Sequence, residues 1–356
     1  MADIKVAFWN LENLFDTTAS EIATDLEFTP ANGWTQAAFS KKVENLASVI
    51  NMMHGGQGPD LLGICEIENK DVAQTLIDQI GRPDYELAHV EHPDIRGIDV
   101  SLIYSSSVFD LSPDLPTDRN PVGHLVHLRY PTRDIFEVKL HVLENDAELT
   151  VFVNHWPSRR LGQYESEPSR IAVAEHCGRL VDRVLKFSRT EFLALSDTNA
   201  SLTKINERWN RNVFVMGDLN DEPFNRSVLN YLLASRDHDH VEELVKASSG
   251  RNIPTAETYL KLRAYLFNCM WPLLGQSDIG TFFFSQATNT MNLLDQFIIS
   301  RGLLFGEQKL RMDLASVKIF TPSVMTTPKG RPRPFDRQTG KGYSDHFPIE
   351  AIVKTV

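Results

Sequence analysis

The sequence predicts a layered α/β sandwich in which two packed sheets carry helices on their outer faces. Three observations support this. Strand-like apolar segments recur along the chain, helical periodicity interrupts them mainly in the first half, and no repeat, low-complexity tract or linker divides the 356 residues. A single domain spanning 1–356 is expected, with insertions near 240–278 and 325–342. Long loops inside a compact domain more often serve function than merely connect.

The predicted strands are Ile4–Trp9, Asp60–Ile67, Val100–Tyr104, Phe136–Val142, Leu149–Trp156, Val213–Leu219, Thr281–Phe284, Leu294–Ser300 and Phe347–Val353. Val43, Leu46, Ala47, Ile50 and Met53 form a helical stripe behind a Ser40 cap, and it stops at Gly55-Gly56. A second helix starts near Asp71. A third follows Ser169, with Ile171, Ala174, Cys177, Val181 and Leu185 on one stripe.

Composition narrows the function classes. A formal net charge of −11 argues against a protein that coats nucleic acid by bulk electrostatics, though it allows an enzyme with a bound cation and a local basic patch. Such a patch exists at Lys329, Arg331, Arg333, Arg337 and Lys341, directly before Ser344-Asp345-His346. Cys65, Cys177 and Cys269 are far apart in apolar contexts, so buried thiols are expected rather than a disulfide framework or a zinc cluster. No apolar run approaches the ~20 residues that span a bilayer, and the N-terminus has no signal-peptide pattern. Stable membrane insertion is not expected, and the expected location is cytoplasmic.

The chemistry collects at strand ends. Val213-Phe-Val-Met-Gly217 delivers Asp218 and Asn220, a carboxylate able to take a proton and an amide able to donate to a phosphoryl oxygen. Glu66 ends another apolar strand, where it suits the sparse oxygen coordination of Mg²⁺; the alternative is a cap for the helix near Asp71. Asn154-His155 and the tandem Arg159-Arg160 follow Val151-Phe-Val, an arrangement suited to holding phosphate. Asp295 lies inside an apolar strand, where a lone carboxylate is costly, and His346 is its expected partner. Phe192-Leu-Ala-Leu-Ser-Asp197-Thr-Asn199 presents a second Asp-x-Asn, read as a cap or loop.

In order, Asn10, Glu66, His155, Asp218-Leu-Asn220, Asp295 and Ser344-Asp345-His346 resemble the endonuclease/exonuclease/phosphatase superfamily. Its relatives include DNase I, exonuclease III-type endonucleases, neutral sphingomyelinases and inositol polyphosphate 5-phosphatases. The resemblance runs from Phe8 to Pro348. It implies a four-layer, DNase I-like α/β sandwich of two mixed sheets and Mg²⁺-dependent hydrolysis of a phosphate ester, with Mn²⁺ as a substitute ion. By that resemblance Glu66 is the principal metal ligand, assisted by Asn10 and Asp345, and Glu12 is a further metal contact in some branches. His155, Asp218, Asn220, Asp295 and His346 are the implied catalytic set; Asn10, Asn154, Arg159 and Arg160 face the substrate. A second pairing, Asp99 with His155, is also expected.

Leu294-Asp295-Gln296 stands where 5-phosphatases show Trp-Cys-Asp-Arg, and Asn154-His155 stands where the AP endonucleases carry a tyrosine-bearing segment. The first disfavours the 5-phosphatase specificity, and the second leans toward the DNase I and sphingomyelinase side. The expected activity is a nuclease-like phosphodiesterase on DNA or RNA, the alternative a phosphomonoesterase or a phospholipid-headgroup phosphodiesterase.

Overall fold

The computed structural model describes residues 2–18, 27–91, 96–113, 119–126, 128, 132–195, 201–276, 279–284 and 290–356. In chain order the strands are β1 (Asp3–Leu14), β2 (Leu61–Ile67), β3 (Tyr85–Ala88), β4 (Asp99–Ser105), β5 (Phe109–Leu111), β6 (Val122–His124), β7 (Ile135–Val142) and β8 (Ala147–His155). They continue with β9 (Val213–Asp218), β10 (Ala234–Ser235), β11 (Leu266–Asn268), β12 (Phe282–Phe284), β13 (Thr290–Asn292), β14 (Asp295–Ile299), β15 (Leu310–Ile319) and β16 (Ile349–Thr355). One six-stranded sheet has the order β15-β16-β1-β2-β4-β3. The other has eight strands, β10-β11-β14-β9-β8-β7-β5 with β6 on β7, and β12 and β13 form a separate hairpin.

Alternation along each strand divides the side chains between cores. In β1, Ile4, Val6 and Phe8 enter the core between the sheets, while Ala7, Trp9 and Leu11 enter the core beneath helices α1 (Gln36–Gly56) and α2 (Lys70–Ile80). In β9, Phe214 and Met216 face the inter-sheet core. Val213 and Val215 face helices α3 (Gln163–Leu185), α4 (Arg189–Leu195) and α5 (Ser201–Trp209). Helices, sheet, sheet and helices make the four layers of a mixed α/β sandwich.

Several boundaries differ from the sequence reading. The cap of α1 is Thr35, whose hydroxyl accepts from Ala38 N, so Ser40 lies inside the helix. Asn69, not Glu66, caps α2 by accepting from Val72 N. The third helix begins at Gln163 and tolerates Pro168 within its first two turns. The segment 240–278 is more than an insertion, since it contributes β11 to the eight-stranded sheet. The ten-residue β15 was not expected; a register shift between Asp313 and Lys318 interrupts its alternation.

Candidate active site

Strand parity builds the site. Asn10 follows Ile4, Val6 and Phe8, and Asp218 follows Phe214 and Met216, so both side chains leave their strands on the inter-sheet side. They meet there: Asn10 Nδ2 donates to Asp218 Oδ2 at 3.1 Å and to Glu66 Oε1 at 3.3 Å. His155 and Asp295 follow the same parity as the inter-sheet residues Val151 and Val153, and Phe297 and Ile299. Glu66 does not. By alternation it would face the helices, but a register shift between Cys65 and Ile67 and a φ of +62° turn it into the cleft.

Glu66 Oε2 accepts from Asn13 N at 2.9 Å. His155 Nε2 lies 3.5 Å from Glu66 Oε1 and 3.7 Å from Asp218 Oδ2. His346 Nδ1 is 2.8 Å from Asp295 Oδ2, and its Nε2 is 3.8 Å from Asp218 Oδ2. Asn220 lies just past the strand in a left-handed conformation with φ +49°. Its N–H donates to Asp218 Oδ1 at 2.9 Å and its amide to Trp156 O at 3.0 Å. Gly217 permits the close approach of β8, because a Cβ there would sit 2.2 Å from the Asn154 carbonyl oxygen.

The environments push these groups apart. Burial, with Asp295 and Glu66 nearby, raises Asp218 to about 6 against the opposing pull of His346. Burial alone would lower His346, yet the carboxylates of Asp295 and Asp218 hold it well above its ordinary value. His155 is driven well below its ordinary value by burial and by the charges of Arg133 and Arg96. Glu66 is depressed despite burial, because Arg96, His346 and Arg133 favour its charge. At neutral pH the cleft therefore holds an ionised Glu66, an imidazolium at His346, a neutral imidazole at His155, and Asp218 poised to exchange a proton.

A second group of residues surrounds this centre, and most of it escaped sequence reading. Lys42 is buried in α1, donates to the Glu12 carbonyl oxygen, and lies 5.9 Å and 5.4 Å from the rings of Trp34 and Phe335. Glu12 Oε2 accepts from Phe335 N at 2.8 Å, and burial raises that carboxyl to about 8 against the pull of Lys42. Arg133 donates to the carbonyl oxygens of His155 and Trp156 at 3.0 and 2.8 Å, and Arg96 donates to Asn13 Oδ1 at 2.9 Å. Behind Asn220, the buried Asp221 takes Arg170 Nε at 2.8 Å and Arg159 at 3.2 Å. Nothing in the pattern around Lys42, Arg133 or Arg170 distinguishes them from solvated cations; only the carbonyl and carboxylate oxygens they meet do.

Three expected roles change. Asn154 is fully buried, donating to Phe152 O and accepting from Trp156 Nε1, so it braces the strand end. Arg159 is engaged by Asn220 O, Asp221 and Asn225, which makes it a brace for the Asp218 loop; Arg160 is exposed. Asp99 lies 3.5 Å from His89 Nε2, while His155 Nδ1 has no hydrogen-bond partner among the described residues, so the expected Asp99–His155 pair does not form. Asp197 and Asn199 lie outside the described residues. All three cysteines are buried and free.

Two groups of described residues bring His and carboxylate ligand atoms within 4.8 Å of one another: His89, Glu91 and Asp99, and Asp218, Asp295 and His346. In the first, His89 already meets Ser101 Oγ at 2.6 Å and Glu91 at 3.0 Å. In the second, Asp295 occupies Nδ1 of His346, an arrangement that serves a proton relay better than a cation. The oxygen-donor chemistry instead fits a hard cation at Glu66. Glu12, Glu66 and Asp345 crowd around a single lysine, and burial and the Glu66 charge hold Asp345 above its ordinary value. Asn10 Oδ1 accepts from Glu12 N at 3.0 Å, so Asn10 presents nitrogen rather than the expected metal-binding oxygen to the cleft.

The fold recurs in solved structures. A family protein from Bacteroides thetaiotaomicron is 13% identical at a TM-score of 0.53, with 100% of this chain and 99% of that one covered. TDP2 of D. rerio, complexed with a single-strand DNA product, is 12% identical at a TM-score of 0.54 over 100% of both chains. The mannosyl-6-phosphatase of Bacteroides thetaiotaomicron is 14% identical at a TM-score of 0.51, covering 98% of this chain and 99% of that one. Curated proteins offer no match to the sequence. The family model described as Endonuclease/Exonuclease/phosphatase family matches residues 5–355. With the cleft geometry and this match over almost the whole length, the chain belongs to the endonuclease/exonuclease/phosphatase family, whose members are hydrolases of phosphate esters.

Proposed function

We propose that the chain is a Mg²⁺-dependent phosphodiesterase that cleaves nucleic acid by in-line attack of water. The observation that carries this reading is the buried Asp218, held by Asn10 and Asn220 and set 3.7 Å from His155 Nε2 and 3.8 Å from His346 Nε2. Asp218 takes the proton of the attacking water, oriented by Asn10 and Asn220. His346, fixed through Nδ1 by Asp295, presents Nε2–H to the phosphoryl oxygens or the leaving oxygen, and His155 lines the opposite wall. Glu66, with Asp345 beside it, would hold the cation, which supplies Lewis-acid stabilisation of the phosphoryl charge when bound.

The nucleic-acid substrate is supported by the basic loop. Its backbone is fixed to the cleft floor through Phe335 N and Glu12, and Asn45 donates to Gly340 O and Gly342 O at 3.1 and 2.9 Å. This loop carries Arg331, whose guanidinium stacks on Phe283, and the exposed Lys341 on a chain of net charge −11. That acidic balance favours a second reading, a small phosphate ester or a lipid headgroup as substrate. Shared fold with a DNA-bound and a sugar-phosphate enzyme makes either accessible and decides neither.

The test is a panel of plasmid DNA, single-stranded DNA, RNA, a bis-aryl phosphate, a phosphomonoester and sphingomyelin. Each is offered with Mg²⁺, Mn²⁺ or EDTA, beside Asp218→Ala and His346→Ala. Metal-dependent cleavage of a polynucleotide, falling steeply with salt and lost in both variants, is expected. Turnover of only a small ester, insensitive to salt, replaces the nuclease reading with the second one. Undiminished activity in both variants removes the site assignment.

A further inference from the structure

The β12–β13 hairpin stands over the cleft, and its two faces are unlike. Phe283 pairs across strands with Met291. The Arg331 guanidinium lies 3.4 Å from the centroid of the Phe283 ring, and Met291 packs against the core under α1 and α2. Arg331 and the core cover part of this face, where Phe283 and Met291 are half-buried. Phe282 and Phe284 project from the other face. Phe282 forms an antiparallel bridge with His346, and its ring centroid is 4.7 Å from the imidazole. Phe284 stands 6.2 Å further along, tilted 49° to Phe282. Both rings are only half-buried.

Half-exposed phenylalanines leave apolar surface in water and gain from a planar partner. A phosphate held by His346 has its nearest substituents within one side-chain length of these rings. Of the phosphate esters this family can hydrolyse, a nucleotide carries a flat aromatic group at that distance. We propose that Phe282 and Phe284 form a base-stacking subsite, with the base next to the scissile phosphate lying on Phe284 and walled by Phe282. Stacking needs an unpaired base, so the preferred substrate is single-stranded nucleic acid. The inference rests on the nuclease reading and narrows it.

The test compares kcat/KM on a single-stranded oligonucleotide, on the same strand with abasic residues flanking the cleavable linkage, and on its duplex, all with Mg²⁺. The base-bearing strand should be preferred over the abasic strand and the duplex by roughly tenfold, the scale of one base–aromatic stack. Phe284→Ala should bring the preference over the abasic strand to near unity, and Phe284→Trp should restore it. Melting temperature checks that each variant is folded. Equal use of base-bearing and abasic strands by the wild type, or a preference that survives Phe284→Ala, overturns the stacking subsite while leaving the nuclease reading intact. Absence of cleavage of every oligonucleotide, with hydrolysis of another phosphate ester, overturns the nuclease reading itself. A Phe284-dependent rate on a phospholipid reassigns the face to an acyl chain and overturns the base.

Discussion

Asp295 places one carboxylate oxygen 2.8 Å from Nδ1 of His346, and this bond fixes which ring nitrogen reaches the cleft. Asp295→Asn keeps the shape but removes the charge that holds the imidazolium. The expected loss is about 10²- to 10⁴-fold in kcat with a smaller change in KM. His346 titrates above its ordinary 6.5 in the folded chain, so the stability it contributes is complete below about pH 6.5 and lost as pH rises through the elevated value. The deficit of Asp295→Asn should therefore be larger in acid than in alkali, as measured by denaturant titration at several pH values. An NMR titration of His346 should show its pKa falling in the variant.

Asp218 carries the opposite sign. Its folded value of about 6 lies above the ordinary 3.8, so the ionised form destabilises the fold above about pH 6 and has no such effect below about pH 3.8. Asp218→Asn should abolish turnover yet stabilise the protein by roughly 1–3 kcal/mol at pH 8, the gain vanishing near pH 3.5. Paired kcat and melting measurements across pH check both halves. In the wild type, kcat/KM should rise with pH on a limb centred near 6.

Lys42 is the buried lysine beside Glu12, Glu66 and Asp345, its pKa lowered by burial against their pull, and it holds the Glu12 carbonyl at a register shift in β1 between Asn10 and Leu14, next to the Asn13 N–H that donates to Glu66. Lys42→Met leaves the part-buried Glu12 carbonyl without its donor and should cost about 1–3 kcal/mol. Adding Glu12→Gln should recover part of this in a double-mutant cycle followed by urea denaturation. A purely additive pair rejects the coupling.

Gly217 lets β8 and β9 approach closely. Gly217→Ala forces its Cβ toward the Asn154 carbonyl oxygen, 2.2 Å away, and should destabilise by about 1–3 kcal/mol. Because Asp218 is the next residue, kcat should fall more than the melting temperature suggests; parallel assays on the folded fraction separate the two.

The anionic and imidazole residues of the centre were legible because each ends or opens an apolar strand, where the period of two also predicts the side it faces. Asn10, His155, Asp218 and Asp295 follow that rule. Glu66 reached the cleft by breaking it, through a bulge that alternation does not encode. The cations were hidden. Lys42 sits between Lys41 and Val43 on an amphipathic helix and reads as solvent-facing, and Arg170 reads the same way on α3. Each meets an acidic residue 30 or more positions away in sequence, Glu12 for one and Asp221 for the other. The short strands β3, β5, β10 and β11 were too brief for any period to register, and β15 lost its alternation at a bulge.

Glu66 and Asn10 belong to one sheet, and His155, Asp218 and Asp295 to the other. Neither half of the molecule owns a complete reaction centre. The proposed chemistry is the property of a seam inside a single chain, kept in register by the methyl and phenyl groups packed beneath it. In mild denaturant, or after a core substitution that widens the gap between the layers, turnover should fail while both sheets still give their native circular dichroism. Catalysis is thus a finer gauge of interlayer spacing than any measure of secondary structure.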